Sequence, residues 1–472
     1  MRTCNKTIFV SLLFFLSACR VGPHYSPPCV EVPDNWKEGV DSSESRQEIC
    51  YWWEVFSDET LNALQAQALE NSPTLYGAMQ RVIEARALVT IAGAGRYPQA
   101  TLNPSYTNTG ELFKIYAPQA LFPIINPSDS IFRIHQLQYL LPLMMSYELD
   151  LWGKIRGQFE AAFYDLQAER EAYHVATLTL TTDLANAYFQ LQTLDSQMAI
   201  LEEIVQLRSQ FVELTKARVQ KGIANELDLS SAFIAWANEE SRFADAKRQR
   251  ALTENMISTL MGTPAPLFSL AQLPLKGEPP VIPAGLPADV LMQRPDIGEA
   301  ERRRASEHKR IGVAYASYFP DISLTGILGY SSPDLKDFLT WNSRLWSYGA
   351  EATQAVFDGG TISGNVEATW ARFRQADAAY REQVLTAFKE VEDSLTNLEH
   401  LESQYKSLSF GEKEAVKQMN LSDQRYTNGL TTRIDYISTQ QNALEARLSV
   451  NTIRGQRYLS TIQLIKALGG TW

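Results

Sequence analysis

The chain has 472 residues, a formal net charge of −11, 45% hydrophobic residues, four cysteines and five histidines. An acidic chain without a basic stripe is not expected to bind nucleic acid, and the scattered histidines lack ligand spacing, so no metal site is expected. We also expect no cofactor. We find no pairing of a nucleophile with a base, so we do not expect an enzyme.

The start of the chain has the order of a bacterial secretory signal. Arg2 and Lys6 supply positive charge, an apolar run follows over residues 8–16, and small residues precede Cys19. The run is too short for a permanent membrane helix. Leu16-Ser17-Ala18-Cys19 matches the lipobox of bacterial lipoproteins, so we predict that residues 1–18 are removed and that Cys19 carries a covalent lipid.

Residues 19–57 are predicted to form a lipidated, extended N-terminal segment. Arg20 directly after the lipobox cysteine, where aspartate would favour inner-membrane retention, favours the outer membrane. Cys29 and Cys50 could form a disulfide in an oxidising periplasm or remain free thiols, and the sequence leaves both alternatives open. After residue 19 no apolar run is long enough to span a bilayer, so no transmembrane helix is expected.

The remainder of the chain contains an internal duplication. Residues 157–262 align without a gap with the residues 207 positions later, and an offset of 222 aligns the stretches that precede them. The aligned pairs include Gly222 with Gly429, Gly262 with Gly469, Asp228 with Asp435 and, at the second offset, Pro73 with Pro295. We therefore predict two repeats, residues 58–262 and 288–469, joined by a Pro-rich linker at 263–287.

Each repeat begins with helices followed by strands. Residues 58–96 predict two helices separated at Pro73, with Asp58 as the N-cap. A strand is expected around Leu102 and Tyr106, then a polar loop at about 109–136. A second strand is expected at 137–150, where Pro142 indicates a bend or a bulge. The second repeat has its strands from Ile322 to Tyr330 and from Trp346 to Phe357, with a much shorter loop between them.

A very long helix follows the strands of each repeat. Residues 157–221 contain no proline and no glycine after Gly157, and their apolar residues recur at steps of three and four. This spacing is typical of a coiled coil. The apolar positions are Leu180, Leu184, Ala187, Leu191, Leu194, Met198, Leu201 and Val205. Gly222 and Gly429 are predicted to end the two rods, each about 95 Å long, and a second helix returns from each turn.

Two strands in each repeat make four in each chain, too few to close a membrane barrel on their own. Three chains would supply twelve strands, which is wide enough for a water-filled pore. The combination of strand pairs, long helices and a lipidated N-terminus therefore favours a conduit. The alternative is a non-conducting coiled-coil protein of the cell surface.

The sequence resembles the outer-membrane factor family over nearly the whole mature chain, and within it the NodT-type efflux lipoproteins. Cys19-Arg20-Val21-Gly22-Pro23-His24-Tyr25 is similar to the lipidated start of that family. Further similar stretches are Trp53 to Leu64, Tyr147 to Gly153, Arg294-Pro295-Asp296-Ile297, Phe319-Pro320 and Phe357-Asp358-Gly359-Gly360. The last of these lacks the lysine and hydroxyl residue of a phosphate-binding loop.

The resemblance implies an α+β membrane protein, a homotrimer whose twelve-stranded β-barrel continues into a long periplasmic coiled-coil barrel of α-helices. It implies a passive, gated outer-membrane duct for drugs or other small molecules. The partners would be a periplasmic adaptor and an inner-membrane pump of the resistance-nodulation-division type, with outer-membrane lipid around the barrel. A duct for type I protein secretion shares this architecture and remains the alternative. The substrates cannot be read from the chain.

The resemblance also implies that the second helical tip forms a closed aperture at the periplasmic end. The residues in question are Tyr426, Gly429, Thr431, Ile434, Asp435 and Ser438. A ring of three Asp435 carboxylates would favour cations, and a ring of Ile434 would form an apolar constriction. Asp228 could hold the tip closed by bonding to Tyr426 or to Arg218, Arg425 or Arg433. Alternatively, Asp435 is a cap of the helix that follows the turn.

Overall fold

Long helices and one antiparallel sheet make up most of the described chain. The computed structural model describes residues 21–28, 32–33, 36–37, 51–114, 131–283, 285 and 287–470. The helices are α1 (Glu59–Asn71), α2 (Pro73–Ala94), α3 (Lys154–Gln220), α4 (Glu226–Leu260), α5 (Pro287–Gln293), α6 (Pro295–Ala316), α7 (Thr361–Thr427) and α8 (Arg433–Ala467). The strands are β1 (Gln99–Leu102), β2 (Ser105–Lys114), β3 (Ile131–Leu149), β4 (Asp321–Ser332) and β5 (Arg344–Thr353).

The elements recur at the two offsets found in the sequence. Both ends of α6 match those of α2 at the larger offset, and both ends of α7 and α8 match those of α3 and α4 at the smaller one. A close backbone approach recurs with them. A Cβ added to Gly262 would lie 2.5 Å from the carbonyl oxygen of Asn71, and one added to Gly469 would lie 2.9 Å from that of Gln293. The repeat and linker boundaries proposed above stay a prediction.

The sheet contains four strand positions in the described part of the chain, because β1 and β2 occupy one position. Leu102 lies opposite Leu143 and Ser105 opposite Leu140, so both segments pair with β3 in one continuous register. The interruption falls at Asn103 and Pro104. Asn103 donates its N–H to the Pro142 carbonyl at 3.4 Å, but Pro142 has no N–H to return the bond. Strands β3, β4 and β5 follow in that order, all antiparallel. The edges of the sheet are therefore β1 with β2 on one side and β5 on the other.

Two strand predictions were wrong in their limits. The loop expected at 109–136 is strand at both of its ends, since β2 extends to Lys114 and β3 begins at Ile131, whereas residues 115–130 lie outside the described part of the chain. The polar side chains of β2 are exposed, and an exposed strand shows no hydrophobic alternation that a sequence could reveal. Strand β5 ends at Thr353 rather than at Phe357, and the side chain of Phe357 is 92% exposed.

The bulge considered at Pro142 is absent from the described sheet. Leu141 pairs with Tyr330 and Leu143 with Leu328, so no residue is inserted between them. Pro142 instead lies opposite Gly329, where an added Cβ would approach the carbonyl oxygen of Leu141 to 2.1 Å. The close approach of the backbones is accommodated by a glycine and not by an extra residue.

The long helices have the predicted apolar stripe. Leu180, Leu184, Ala187, Leu191, Leu194, Met198 and Leu201 are all buried, which confirms the coiled-coil spacing, whereas Val205 is only half-buried. Helix α3 begins at Lys154, three residues before the predicted start. The Asp150 carboxylate accepts hydrogen bonds from the backbone N–H groups of Ile155 and Arg156, at 3.1 and 2.8 Å, and so caps the first turn.

The chain divides into two compact units, each built from parts of both repeats. The first comprises Met1–Pro27, Glu84–Leu166 and Arg302–Asp377, and holds the sheet. Within it the described N-terminal segment docks on other parts of the same unit. Val21 donates its N–H to the Trp152 carbonyl at 3.3 Å, and Arg304 donates to the Ser26 carbonyl at 3.2 Å.

The second unit comprises Pro28–Ile83, Gln167–Glu301 and Ala378–Trp472, and contains the largest apolar core. Leu61, Leu184 and Ile462 are fully buried there. Asp58 caps α1 as predicted, since it accepts from the N–H groups of Thr60 and Leu61. The Tyr188 hydroxyl also donates to Asp58, at 2.9 Å, and joins the cap to the core of α3.

Candidate functional site

The candidate site is formed by the two helical tips, which both lie in the second unit. Helix α3 ends before Gly222 and α7 before Gly429, with φ values of +71° and +74°. Ile223 donates its N–H to the Arg218 carbonyl, and Leu430 donates to the Arg425 carbonyl. This is the pattern of a Schellman turn, in which a glycine with positive φ ends a helix and reverses the chain.

Each return helix begins with a capping box. At the first tip, Asp228 donates its N–H to the Asn225 side chain at 2.9 Å, and the Asp228 carboxylate accepts from the Asn225 N–H. At the second tip, Asp435 and Thr432 make the same exchange, at 3.3 and 3.0 Å. The cap interpretation of Asp435 therefore holds in a modified form, because Thr432 is the N-cap and Asp435 is the third residue of the helix.

The Asp435 carboxylate is exposed, and hydrogen bonds stabilise its ionised form. It accepts further hydrogen bonds from the hydroxyls of Thr432 and Thr431, at 2.6 and 3.0 Å. Bonds from the side chain and backbone of Thr432, then from Thr431, lower the pKa of Asp435, and the positive charge of Arg218 adds to the effect. At neutral pH the Asp435 carboxylate is therefore negatively charged.

Arg433 lies against two tyrosine rings beside this carboxylate. The rings of Tyr426 and Tyr436 are nearly parallel, with centroids 6.0 Å apart. The Arg433 guanidinium carbon lies 5.5 and 5.0 Å from their centroids. Burial raises the pKa of the Tyr436 hydroxyl, and the charge of Asp423 and a hydrogen bond to it raise it further. These four residues, which we call the tyrosine clamp, join the end of α7 to the start of α8.

The clamp belongs to the second tip alone. At the smaller offset, the positions of Asp423, Tyr426, Arg433 and Tyr436 are occupied by Lys216, Val219, Glu226 and Leu229. None of these side chains is aromatic, and the two charges are reversed. The two tips therefore share their glycine turns and capping boxes, but they differ in the side chains at the positions of the tyrosine clamp.

Sequence reasoning named Tyr426 and Arg433 but missed Tyr436 and Asp423. The available signal was the spacing: Tyr436 lies one helical turn after Thr432, and Asp423 lies three residues before Tyr426, on the same face of α7. Both positions differ from their counterparts in the first repeat, and that comparison could have singled them out.

The other predicted residues lie at the tips in different settings. Ile434 is half-buried, and Ser438 is exposed. The Asp228 carboxylate bonds to Asn225 within the chain, and among the described residues it has no hydrogen bond or ion pair with Tyr426 or with an arginine. The closing bond from Asp228 to Tyr426 or to one of these arginines stays a prediction.

Two further findings concern the residues that the structure describes. There, no three His, Cys, Asp or Glu side chains lie together as a metal site would require. None of the described helices combines the length and apolar composition needed to cross a membrane. Cys19, the predicted lipidation site, and the pair Cys29 and Cys50 lie outside the described residues.

Comparison with known proteins decides the family. The profile of the family described as outer membrane efflux protein matches residues 64–263 and 286–470. The chain belongs to this family. The resemblance found in the sequence and the predicted outer-membrane location are thereby confirmed. Members of the family are channel proteins rather than enzymes.

Individual relatives match the outer membrane efflux protein along almost its full length. Nodulation protein T of Rhizobium leguminosarum bv. viciae is 28% identical over 470 residues, covering 97% of this chain and 92% of the relative. The probable efflux pump outer membrane protein TtgC of Pseudomonas putida is 28% identical over 466 residues, covering 97% and 94%. The crystal structure of the Campylobacter jejuni CmeC outer membrane channel has a TM-score of 0.84 at 26% identity, covering 96% and 95%.

The family-like motif at Arg294 has a structural explanation. The Arg294 side chain is buried, pairs with Asp296 and Glu390 at 2.5 and 2.7 Å, and donates to the Ala467 carbonyl at 3.0 Å. It therefore joins the start of α6 to α7 and to the end of α8. The motif supports the second unit and lies in a different part of the chain from the tips.

Proposed function

We propose that this outer membrane efflux protein is the exit duct of a tripartite efflux system and conducts small molecules passively out of the cell. The observation that carries the proposal is the pairing of an incomplete sheet with two helices of 67 residues in one chain. Sheet edges with unpaired backbone groups need a partner. Copies of the same chain supply one.

In the proposed assembly three chains contribute four strand positions each to a twelve-stranded β-barrel in the outer membrane. The long helices of the three chains continue it as a periplasmic tube. A lipid on Cys19 holds each N-terminus at the membrane, and a lipid with two or three chains anchors firmly. The structural similarity of this chain to the CmeC outer membrane channel, with a TM-score of 0.84, supports this arrangement.

The gate in this proposal is the second helical tip. Three Asp435 carboxylates around an axis would attract cations, and three Ile434 side chains would resist wetting when closed. The tyrosine clamp fixes the positions of Ile434 and Asp435, because it joins the end of α7 to the first turn of α8. Asp228, at the other tip, would bond to Tyr426 or to an arginine of a neighbouring subunit in the closed state.

A duct has no energy source of its own, so an adaptor in the periplasm and a pump in the inner membrane complete the system. The Pseudomonas putida relative is a probable efflux pump outer membrane protein. That relationship supports an efflux pump as the partner, and the resemblance found in the sequence implies one of the resistance-nodulation-division type. The pump selects the substrate, and the duct supplies the path.

The proposal is tested by deleting the gene in its native cell and measuring the accumulation of chemically different fluorescent dyes and antibiotics. We expect accumulation to rise for part of the panel and to return to its original level when the gene is restored. Unchanged accumulation together with the loss of a secreted polypeptide would contradict small-molecule efflux and would assign the duct to protein secretion.

A further inference from the structure

The two faces of the sheet differ in chemistry. On one face Leu143, Leu328 and Trp346 lie side by side across β3, β4 and β5. That face is apolar at every second residue of β3 from Tyr139 to Tyr147, a length of about 27 Å. The other face is richer in serine, threonine, glutamine and glutamate. The apolar band with which a β-barrel faces lipid is about 25 Å tall, so we call the apolar side of the sheet the lipid face.

A compact loop joins β4 to β5 at the end of the sheet that lies away from the helices. The connections from α6 into β4, from β3 into α3 and from β5 into α7 all lie at the other end. The loop, residues 333–343, contains two short helical turns, Leu335–Asp337 and Trp341–Ser343. The Ser343 hydroxyl lies 2.6 and 2.9 Å from the carbonyl oxygens of Phe338 and Thr340. With the helices in the periplasm, this folded loop lies at the outer surface of the membrane.

The loop leans toward the lipid face. The centroid of the Phe338 ring lies 6.0 Å from that of Tyr139, which lies 5.0 Å from that of Tyr106 on β2. Rows of aromatic side chains mark the level at which the apolar band of a barrel ends. The loop also has three exposed apolar side chains, Leu335, Leu339 and Trp341, with exposures of 66, 67 and 74%. A loop that is fixed by its own hydrogen bonds and exposes such side chains is suited to a lipid leaflet.

Arg344 brings a positive charge to the same place. It is the first residue of β5 and lies on the lipid face, opposite Tyr330 of β4. Its guanidinium carbon lies 3.3 Å from the centroid of the Trp341 ring, and its Nε donates to the Trp341 carbonyl at 2.6 Å. In the described part of the chain no carboxylate pairs with this guanidinium, so its terminal N–H groups are available to a ligand. An arginine on a lipid-facing strand is tolerated where the apolar band ends.

The first repeat has neither this cation nor its aromatic support. At the smaller offset, Leu137 takes the position of Arg344, and Ile134 takes that of Trp341. Both repeats contribute strands to the same antiparallel sheet, so the strands themselves do not require an arginine here. The pair of Trp341 and Arg344 is therefore an addition to the duplicated framework.

We propose that Trp341 and Arg344 bind the phosphate of a phosphorylated glycolipid in the outer leaflet of the membrane. The planar guanidinium offers two parallel N–H groups to one phosphate, and the indole ring holds the guanidinium in place. Lys336, on the same loop, adds a second positive charge. The exposed leucines of the loop meet the acyl chains of the same lipid. The inference rests on the proposed placement of the sheet in the outer membrane and adds to it a lipid that the protein recognises.

The charges of the loop favour a lipid over a free anion. Asp334 and Asp337 flank Lys336 and are exposed, so residues 333–344 carry no net charge. Such a loop does not attract anions in general. A phosphate is held only where its position is fixed beside Arg344. A lipid fixes that position, because its acyl chains lie against apolar side chains and contribute to binding.

The site is tested on the full-length protein purified in detergent, with diphosphoryl lipid A as the probe. Native mass spectrometry measures both the number of chains in the particle and the affinity for added lipid. The variants are Arg344→Gln and Trp341→Ala. The matched control is Arg248→Gln, which removes an exposed arginine of α4 in the second unit. Phosphatidylglycerol and inorganic phosphate are the comparison ligands.

We expect Arg344→Gln to bind diphosphoryl lipid A about 10- to 100-fold more weakly than the unchanged protein, because a charge-assisted pair of hydrogen bonds is lost. Trp341→Ala should bind it about 2- to 5-fold more weakly, and Arg248→Gln should bind it as the unchanged protein does. Phosphatidylglycerol should bind all four proteins alike, and inorganic phosphate should not displace lipid A. If Arg344→Gln gives no folded particle, the comparison with Trp341→Ala decides.

Equal affinity of the unchanged protein and both loop variants for lipid A would overturn the site. An equal loss of affinity for phosphatidylglycerol in Arg344→Gln would also overturn it, because the contact would then be with any anionic lipid. Displacement of lipid A by inorganic phosphate would overturn it as well, since the site would then take a free anion.

Conductance in a planar bilayer, measured on the same preparations, separates this inference from the proposed function. Unchanged lipid affinity in variants of a protein that conducts would overturn the lipid site alone. A protein that binds lipid A through Arg344 but never conducts would contradict the proposed duct alone.

Discussion

Thr432 and Asp435 bond to one another in both directions at the start of α8. The Thr432 N–H and hydroxyl donate to the Asp435 carboxylate at 3.0 and 2.6 Å, and the Asp435 N–H donates to the Thr432 hydroxyl at 3.3 Å. The carboxylate therefore has two separable roles, as half of a capping box and as a charge at the proposed gate. Substitutions at the two positions distinguish these roles.

Asp435→Asn should reduce cation selectivity, because it removes the negative charge and retains a side-chain oxygen that can accept from Thr432. Thr432→Ala is the matched control, since it removes the cap and keeps the charge. The measurement is the reversal potential across a planar bilayer with a salt gradient. If Thr432→Ala lowered the selectivity as much as Asp435→Asn, the carboxylate would act as a cap only.

Selectivity should be insensitive to pH near neutrality. The pKa of Asp435 is lowered in the folded chain by its threonine bonds, and the ordinary value for an aspartate is about 3.9. The stabilisation from a lowered pKa is complete above the ordinary value and is lost as the pH falls through the folded value. We expect constant reversal potentials from pH 8 to about pH 5, and a loss only below about pH 4. A midpoint above pH 5 would mean that repulsion among the three carboxylates outweighs the threonine bonds.

Removing the cation of the tyrosine clamp should loosen the second tip. Arg433→Met keeps an unbranched apolar side chain near Tyr426 and Tyr436 but removes a cation–π attraction of about 0.5–2 kcal/mol. Amide hydrogen exchange of residues 426–436 should then become about 2- to 30-fold faster if local opening governs it. The matched control is Arg248→Met, since Arg248 is an exposed arginine of α4 that pairs with Asp245 one turn away. Equal effects of the two substitutions, or none from Arg433→Met, would argue against the clamp.

Gly329 should be intolerant of a side chain, whereas Gly326 on the same strand should accept one. A Cβ at Gly329 would lie 2.1 Å from a backbone oxygen of β3, but at Gly326 it would meet nothing within 4 Å. Gly329→Ala should destabilise the sheet by about 1–3 kcal/mol or more. The midpoint of heat unfolding in detergent is compared for Gly329→Ala and Gly326→Ala. Equal unfolding midpoints for the two variants would show that β3 and β4 can move apart at Pro142 without loss of stability.

Much of this architecture could be predicted from the sequence, because long helices leave strong local signals. The stripe from Leu180 to Leu201, the N-cap at Asp58 and the glycine turns each depend on residues close together in the chain. The strands were less accurate. The polar residues of β2 carry no alternation, and their pairing depends on β3, which follows later in the chain.

The tyrosine clamp could not be predicted as a unit from one local pattern. Tyr426 and Tyr436 lie on two different helices, and the turn at Gly429 determines whether their rings meet. The gate residues were named by resemblance, which supplies positions but not the partners of each side chain. That Asp435 bonds to Thr432 became evident from the folded backbone.

The central claim, that the protein conducts, is tested most directly by the electrical conductance of the purified full-length protein in a planar bilayer. We expect discrete current steps that favour cations, and we expect this selectivity to fall in Asp435→Asn. A correctly folded protein that is trimeric by light scattering, inserts into the bilayer and passes no current at any applied voltage or pH would contradict it.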